Sequence, residues 1–466
     1  MITVTHYKGK LVVVLGLGRS GIATVRALEA GGATVLAWDN SDNQRRQAEG
    51  AGLTLTPLDD VVWDDVAALV LSPGIPFTHP TPHPLVTCAQ EHNVPVIGDI
   101  ELFFHAVREM APDVPIVAIT GTNGKSTTTA LIGHMVAHCG RKAEVGGNIG
   151  KPVLELAPPE RNTVYVVELS SFQIDLAPGI KPSVALLLNI TPDHLDRHGS
   201  LAHYAAVKGR LFDNLDENDM AVIGVDDRPS MRICTTVCGR KTPQLVPVSV
   251  GKSLGQGVCV IDGGLYDNMG TQSVKAGDLR PLKTLAGAHN WQNAAMAFAA
   301  GRGLGFSRDD ILSSFESFSG LVHRMELVTQ NGRVLYVNDS KATNADAASK
   351  ALATYENIYW IAGGRAKAGG IATLDVFFPH VRRAYLIGEA AADFASTLEN
   401  HKVDVVMSGT IEAAVTQATL DAVNEDKDAV VLLSPACASF DQYANFELRG
   451  DAFRAAVHSL IAKEGS

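Results

Sequence analysis

The sequence predicts an α/β protein of three domains, and three observations carry that expectation. At 466 residues the chain exceeds what one hydrophobic core organises, since a domain holds roughly 100–200 residues; two to four domains follow, with three as the working number. Strand-like apolar runs alternate with helix-like stretches along the chain, the pattern of parallel, doubly wound sheets. Two of those runs open directly into glycine-rich turns, "LVVVLGLGRSG" (Leu11 to Gly21) and "PIVAITGTNGKSTTT" (Pro115 to Thr129), which is how a strand delivers a phosphate to a helix N-terminus.

The elements follow in order. From Lys10 to Arg108 the pattern reads strand Leu11–Leu15, helix Ser20–Ala30, strand Thr34–Trp38, strand Ala68–Leu71 and a helix over "ELFFHAVREM". The two prolines of "REMAPDVP" read as a linker. A second unit opens at Ile116, with strands at Thr163–Glu168 and Val184–Asn189 and a helix near His203–Leu215. The stretch Val237 to Gly277, rich in Gly, Val and turn residues, predicts short strands or long loops. A long amphipathic helix is expected over "HNWQNAAMAFAAGRGLG". A third alternating unit starts near Leu321, with strands Val334–Val337, Ile358–Ile361, Arg383–Ile387 and Ala429–Leu433. The expected domains are 1–108, 109–320 and 321–466.

Composition excludes several classes. With 46% hydrophobic and 19% charged residues, the chain can bury sizeable cores and is neither disordered nor fibrous. Its formal charge is −11 and it has no basic block, so no nucleic-acid partner is expected. The six cysteines lack metal-type spacing; Cys234 and Cys238, the close pair, read as buried small hydrophobes in a reducing compartment rather than as zinc ligands. The start has no signal-peptide layout, and no run approaches about 18 apolar residues, so a cytoplasmic protein without membrane insertion is expected.

In the first loop, Gly16, Gly18 and Gly21 follow a strand and Asp39 closes the next one. Such glycines let the backbone approach a pyrophosphate, and the acid can accept a hydrogen bond from a ribose. Three readings remain at this point: a nicotinamide dinucleotide, another diphosphate-linked nucleoside, or a tight turn that only allows close helix packing. The second loop is more specific. Backbone amides from Gly121 through Thr122 and Asn123 to Gly124 can cradle phosphate, Lys125 can reach β- and γ-phosphates, and Ser126 or Thr127 can hold Mg²⁺. Ile119 stands where the usual pattern has its first glycine, so this is a variant P-loop, and ATP or GTP is implied.

The polar residues that follow have the chemistry such a site needs. Glu168 ends "TVYVVE", and Asp193 and His194 follow "VALLLNI" in "TPDHLDRHG". Strand ends of a parallel sheet face the ligand crevice, and oxygen and imidazole donors suit a Mg²⁺ or Mn²⁺ ion that keeps several waters. Lys208, on the helix that comes next, reads by itself as a solvated lysine.

Together these motifs resemble the Mur ligase family of ATP-dependent amide-forming enzymes of peptidoglycan precursor synthesis. "GGNIG", "ELSSFQ", "TPDHLDRHG", "HNWQNAAMAF", "HRME", "NDSKATN" and "SPACASFDQYANFELRG" occur in family order. The last two are most similar to the members that add D-glutamate. The resemblance implies a bacterial cytoplasmic enzyme with Rossmann-like first and third domains, a central P-loop domain, and a monomeric state. Its substrates would be UDP-N-acetylmuramoyl-L-alanine, D-glutamate and ATP, with two Mg²⁺ ions.

By that resemblance Gly18, Arg19 and Ser20 meet the diphosphate, Asp39 and Asn40 the uracil, and Ser72, Gly74 and Asn148 the nucleotide-sugar. Glu168 and His194 serve the metal ions, and Lys208 falls where the family carries a carbamylated lysine that holds Mg²⁺. Asn293, Arg324 and Asp339 match positions that contact ATP. Lys341, Thr343, Lys367, Ser439, Phe440 and Phe446 match positions around the D-glutamate, where two cations and hydroxyls suit a dicarboxylate; the two phenylalanines read equally well as core aromatics. Two positions depart from the pattern: Arg365 stands where the D-glutamate-adding members usually have an acid, and Asn40 replaces a threonine.

The implied reaction joins a carboxylate to an amine through an acyl phosphate, with Lys125, Arg324 and metal offsetting charge and Asp193 or His194 assisting deprotonation of the amine. Rival readings are a folylpolyglutamate-type ligase, which leaves the first loop unexplained, a nicotinamide dehydrogenase, which leaves the second idle, and a nucleotide-regulated binding protein without turnover.

Overall fold

The computed structural model describes residues 1–58, 61–240, 242–366 and 369–464. Three sheets organise them. The first contains β1 (Leu11–Leu15), β2 (Thr34–Trp38), β3 (Val66–Leu71) and β4 (Val96–Ile97), all parallel, in the order β2-β1-β3-β4. The core strands β1 and β3 are near-continuous apolar runs because a parallel sheet covered on both faces offers no polar side.

The second sheet has nine strands: β5 (Ile116–Thr120), β6 (Lys142–Gly147), β7 (Thr163–Glu168), β8 (Val184–Leu187), β9 (Met220–Gly224), β10 (Gln244–Val250), β11 (Gly257–Ile261), β12 (Gly264–Asn268) and β13 (Val274–Asp278). Their order is β13-β12-β11-β10-β9-β8-β5-β7-β6. Pairing is parallel as far as β11, then antiparallel through β12 and β13. The stretch expected as short strands or loops is therefore a set of strands that widens this sheet.

The third sheet, β14 (Glu326–Asn331), β15 (Val334–Asn338), β16 (Ile358–Gly363), β17 (Val381–Ile387), β18 (Val405–Gly409) and β19 (Ala429–Leu433), runs β14-β15-β19-β16-β17-β18. Only its β14–β15 hairpin is antiparallel.

The chain packs as two compact units, Met1–Asp278 with Trp291–Glu316, and Leu279–Asn290 with Ser317–Ser466. The first two sheets share one unit and one core, which runs from Ile2 and Val12 through Phe103 to Tyr165 and Val207. Ile2 N–H donates to the Leu154 carbonyl and Gly98 N–H to that of Leu176, each at 2.8 Å. The proline-bearing segment is no loose linker: Arg108, at the end of the helix Asp99–Met110, donates to the carbonyls of Pro112 and Val114 at 2.7 Å.

The helix Ala288–Gly303 is not amphipathic in its packing, because Ala294 through Ala300 are all fully buried; small side chains all round let it be enclosed on every face. Cys234, Cys259 and Cys437 are buried as expected of small hydrophobes, but Cys238 is exposed, and no disulfide links the six. No helix among the described residues is long and apolar enough to cross a membrane.

Candidate active site

The first glycine loop leaves β1 and enters the helix Arg19–Ala30 with Gly18 as its N-cap. Gly16 has φ 97°, reachable at low cost only by glycine. A Cβ on Gly21 would sit 1.9 Å from the Gly16 carbonyl oxygen, so the third glycine is fixed by backbone approach. A Cβ on Gly18 would meet nothing within 4 Å, leaving room for a ligand against the backbone.

Asp39 is turned toward the protein. Its carboxylate accepts from Leu17 N–H at 2.6 Å and Ser41 N–H at 2.7 Å, bracing the loop. Exposed Asn40 contacts His83 at 3.0 Å, Arg19 is exposed, and Ser72 N–H donates to the Leu15 carbonyl at 2.9 Å beside the loop.

The second loop follows β5, which lies between β8 and β7 where the strand order reverses, the position at which open α/β sheets bind ligands. Gly124, in the left-handed region at φ 84°, caps the helix Lys125–His138 without a side-chain capping bond. The loop is held from outside: Asn189 accepts from Asn123 N–H at 2.9 Å through its side chain and from Thr122 N–H at 2.9 Å through its carbonyl. Asn293 accepts from Thr128 Oγ1 at 3.2 Å, and its Oδ1 lies 2.3 Å from where a Gly124 Cβ would be.

Two cations converge beneath this loop. Lys125 Nζ donates to the carbonyls of Gly121 at 2.9 Å and Thr122 at 2.8 Å. Lys208 Nζ donates to the same Gly121 carbonyl and to Thr120 Oγ1, both at 3.1 Å. Lys208 is 1% exposed, contrary to the solvated lysine expected from sequence, because its helix, Leu201–Gly209, turns that position inward onto β5. Burial first, and the charge of Lys125 second, hold its ammonium well below the usual lysine range.

The residues present fit a divalent cation that shares its coordination with a phosphate. Glu168, 2% exposed at the end of β7, accepts from Asn148 Nδ2 at 2.7 Å through one oxygen; the other is buried with no hydrogen-bond partner. Ser126 and Thr127 are buried in the first turn of the loop's helix. No cluster of three or more His, Cys, Asp or Glu exists among the described residues, so protein side chains alone form no cage. Mg²⁺ needs none, being held by one or two carboxylates together with substrate phosphates and water. His194 sits apart from the Lys125–Lys208 pair's hydrogen bonds: half-exposed, at φ 52°, it contacts Asp193 at 3.4 Å and meets the Phe172 ring edge-on at 5.0 Å.

In the second unit Arg324 is flanked by His323 and Met325, at φ 63° and 44°. Left-handed backbone at such residues costs on the order of 1–3 kcal/mol each and persists only where surroundings impose it. At Met325 the holder is Asp339, which accepts from its N–H at 3.2 Å and from Ser434 Oγ at 2.8 Å; at His323 it is Glu326, which accepts from its N–H at 2.8 Å. Full burial raises the Asp339 carboxyl to about 7.

Lys341 Nζ lies 5.6 Å from the centre of the half-buried Phe446 ring, Thr343 N–H donates to the Lys341 carbonyl, and Ser439 is buried. Phe440 is 64% exposed, so neither phenylalanine is a core aromatic. Arg365 pairs with Glu389 at 3.2 Å, and Lys367 lies outside the described residues.

Sequence reasoning missed Asn189, whose signal was a lone amide closing an apolar strand beside the P-loop strand. It also missed Arg449, which is buried and donates to Ser340 and to the Cys437 carbonyl.

Three family models match: "Mur ligase MurD-like, N-terminal domain" over residues 10–98, "Mur ligase middle domain" over 119–301 and "Mur ligase, glutamate ligase domain" over 323–437. The UDP-N-acetylmuramoylalanine--D-glutamate ligase of Caulobacter vibrioides is 51% identical, covering 100% of this chain and 99% of its own. That of Rhizobium etli is 50% identical over 99% of this chain and 97% of its own. Among solved structures, MurF from Acinetobacter baumannii superposes with a TM-score of 0.59 at 18% identity, covering 91% of each chain. MurC from Thermotoga maritima gives 0.56 at 16%, covering 97% of this chain and 99% of its own. These two are similar in fold. On the three matched domains and the end-to-end identity with these ligases, the chain belongs to the Mur ligase family.

Proposed function

We propose that the protein joins D-glutamate to UDP-N-acetylmuramoyl-L-alanine at the expense of ATP, in peptidoglycan precursor synthesis. The observation that carries this reading is the full-length likeness to D-glutamate ligases, 51% and 50% identical to this chain. The substrate's terminal carboxylate attacks the ATP γ-phosphorus, forming an acyl phosphate and releasing ADP. The D-glutamate amine then attacks the acyl carbon, loses a proton, and the tetrahedral intermediate expels inorganic phosphate.

The loop Gly121–Thr127 cradles the phosphates. Lys125 gives up its hydrogen bonds to the Gly121 and Thr122 carbonyls, in which the donor alone is charged, for bonds to phosphate oxygens in which both partners are charged. Mg²⁺, when bound, supplies neutralisation of phosphoryl charge; Glu168, Ser126, His194 and Lys208 are the residues that would hold it, as two ions. Lys208 does so as a carbamate: burial and the neighbouring Lys125 disfavour its ammonium, the free amine adds to CO₂ and loses a proton, and the resulting anion lies beside the Lys125 cation. Bicarbonate labelled with ¹³C should then give a carbamate carbonyl signal that is absent in Lys208→Met.

The first loop, with Arg19, Ser20, Asp39 and Asn40, holds UDP; Ser72, Gly74 and Asn148 hold the sugar. Asn293, Arg324 and Asp339 serve ATP, and Lys341, Thr343, Lys367, Ser439, Phe440 and Phe446 the D-glutamate. The domains are 1–108, 109–320 and 321–466, and the enzyme acts as a cytoplasmic monomer.

The deciding experiment measures phosphate release with ATP, Mg²⁺ and UDP-N-acetylmuramoyl-L-alanine, comparing D-glutamate, L-glutamate and meso-diaminopimelate. Release with D-glutamate alone is expected. Release only with the diamino acid would remove the substrate assignment.

A further inference from the structure

We propose that Arg197 is a positioning residue that sets the separation between the loop holding the nucleotide-sugar and the loop carrying His194. The inference rests on the substrate reading above but concerns a residue to which that reading gives no role.

Arg197 lies on the single turn Leu195–His198, immediately after His194. Its Nη1 donates to the Gly74 carbonyl at 2.9 Å, so a side chain of the second sheet's crevice fixes the backbone of the loop that leaves β3 in the first sheet. The guanidinium carbon stands 4.8 Å from the centre of the Phe172 ring, and Nε is buried without a hydrogen-bond partner. The same ring meets His194 edge-on and stacks on His198 at 5.2 Å and 5°. His198 in turn contacts Ser171 Oγ at 2.8 Å, pinning the helix that bears Phe172. The turn touches the sugar-side loop again at its end: Gly199 has φ 71°, and a Cβ there would come within 3.2 Å of the His79 ring.

A substrate that is gripped at one loop and reacts at another needs those loops at a fixed spacing, because a misplacement of about 1 Å can cost ~10²-fold in rate. A planar cation can donate to a carbonyl and lie on an aromatic face at once, so arginine suits the post better than a hydrocarbon or a neutral donor.

The test uses the full-length enzyme. Arg197→Met keeps the apolar stem and removes the donors. It should raise KM for UDP-N-acetylmuramoyl-L-alanine about fivefold or more and lower kcat about tenfold, with KM for ATP and D-glutamate within about twofold. Equilibrium binding of UDP alone should be unchanged. Arg197→Lys, which keeps a donor and the charge but not the planar face, should recover part of the loss. Should the Met variant fold poorly, Phe172→Leu removes the stacking face and carries the same expectation. Kinetics within about twofold of wild type, or losses spread evenly over all three substrates, would overturn the proposal. A wild-type enzyme that fails to bind the nucleotide-sugar would instead overturn the substrate reading.

Discussion

Both glycine loops leave a strand at which the sheet order reverses and run into a helix N-terminus, yet their surroundings differ in kind. Around the first, the Asp39 carboxylate accepts from the Leu17 and Ser41 amides, one on each oxygen. Around the second, Lys125 and Lys208 share one carbonyl oxygen while Glu168 keeps a buried oxygen without a partner. The first loop is a settled structure that can receive a ligand and let it go. The second gathers two lysines and a buried carboxylate at one strand end, the kind of enclosed polar surroundings that can stabilise charge developing during transfer.

The comparison breaks first on Lys125→Ala, for which ADP formation should fall by about 10³-fold or more. ADP made at near wild-type rates would mean the second loop supplies nothing that chemistry uses. A smaller effect is expected from Asp39→Ala. Losing a charged acceptor for two amides should destabilise the first unit by about 1–3 kcal/mol and raise KM for the nucleotide-sugar about tenfold, with kcat within about twofold. If instead kcat collapses while KM holds, the first loop is not a handle.

The smallest effect sharpens the contrast through pH. Burial first, and then the neighbouring His203 and Lys208, depress His198 from 6.5 to about 4. The unfolded chain therefore binds the extra proton between those values and the folded chain does not. Stability is fully present above about pH 6.5 and is lost as pH falls toward 4, by on the order of 3 kcal/mol at most. Chemical denaturation at pH 7 and pH 5 should show up to about 2 kcal/mol of this loss, and His198→Phe should flatten it. A slope unchanged in the variant would assign the acid sensitivity elsewhere.

Much of this contrast was legible beforehand. Glycine spacing, Lys125 and the strand-end residues Asp39 and Glu168 sit where short-range rules place them, since turns and strand ends are local. Lys208 was misread because a lysine's solvation depends on which side of its helix meets β5, and nothing within nine residues of helix sequence records that. The helix Ala288–Gly303 was misread for a related reason: alanine fits a surface or a core equally, and enclosure on all sides is a property of the neighbours. Asn189 and Arg449 act on backbone groups distant in sequence, so residue type alone gives no hint of their partners.

The hairpin that widens the second sheet bears on self-association. Had the sheet stopped at β11, an apolar strand, "GVCVI", would have shown a row of open backbone groups to any other copy of the chain. Instead β12 and β13 follow with an irregular register between Leu265 and Tyr266, and the outermost strand, "VKAGD", exposes Lys275 and packs Gly277 toward Leu312. A short, charged and partly covered rim is a poor template for adding strands.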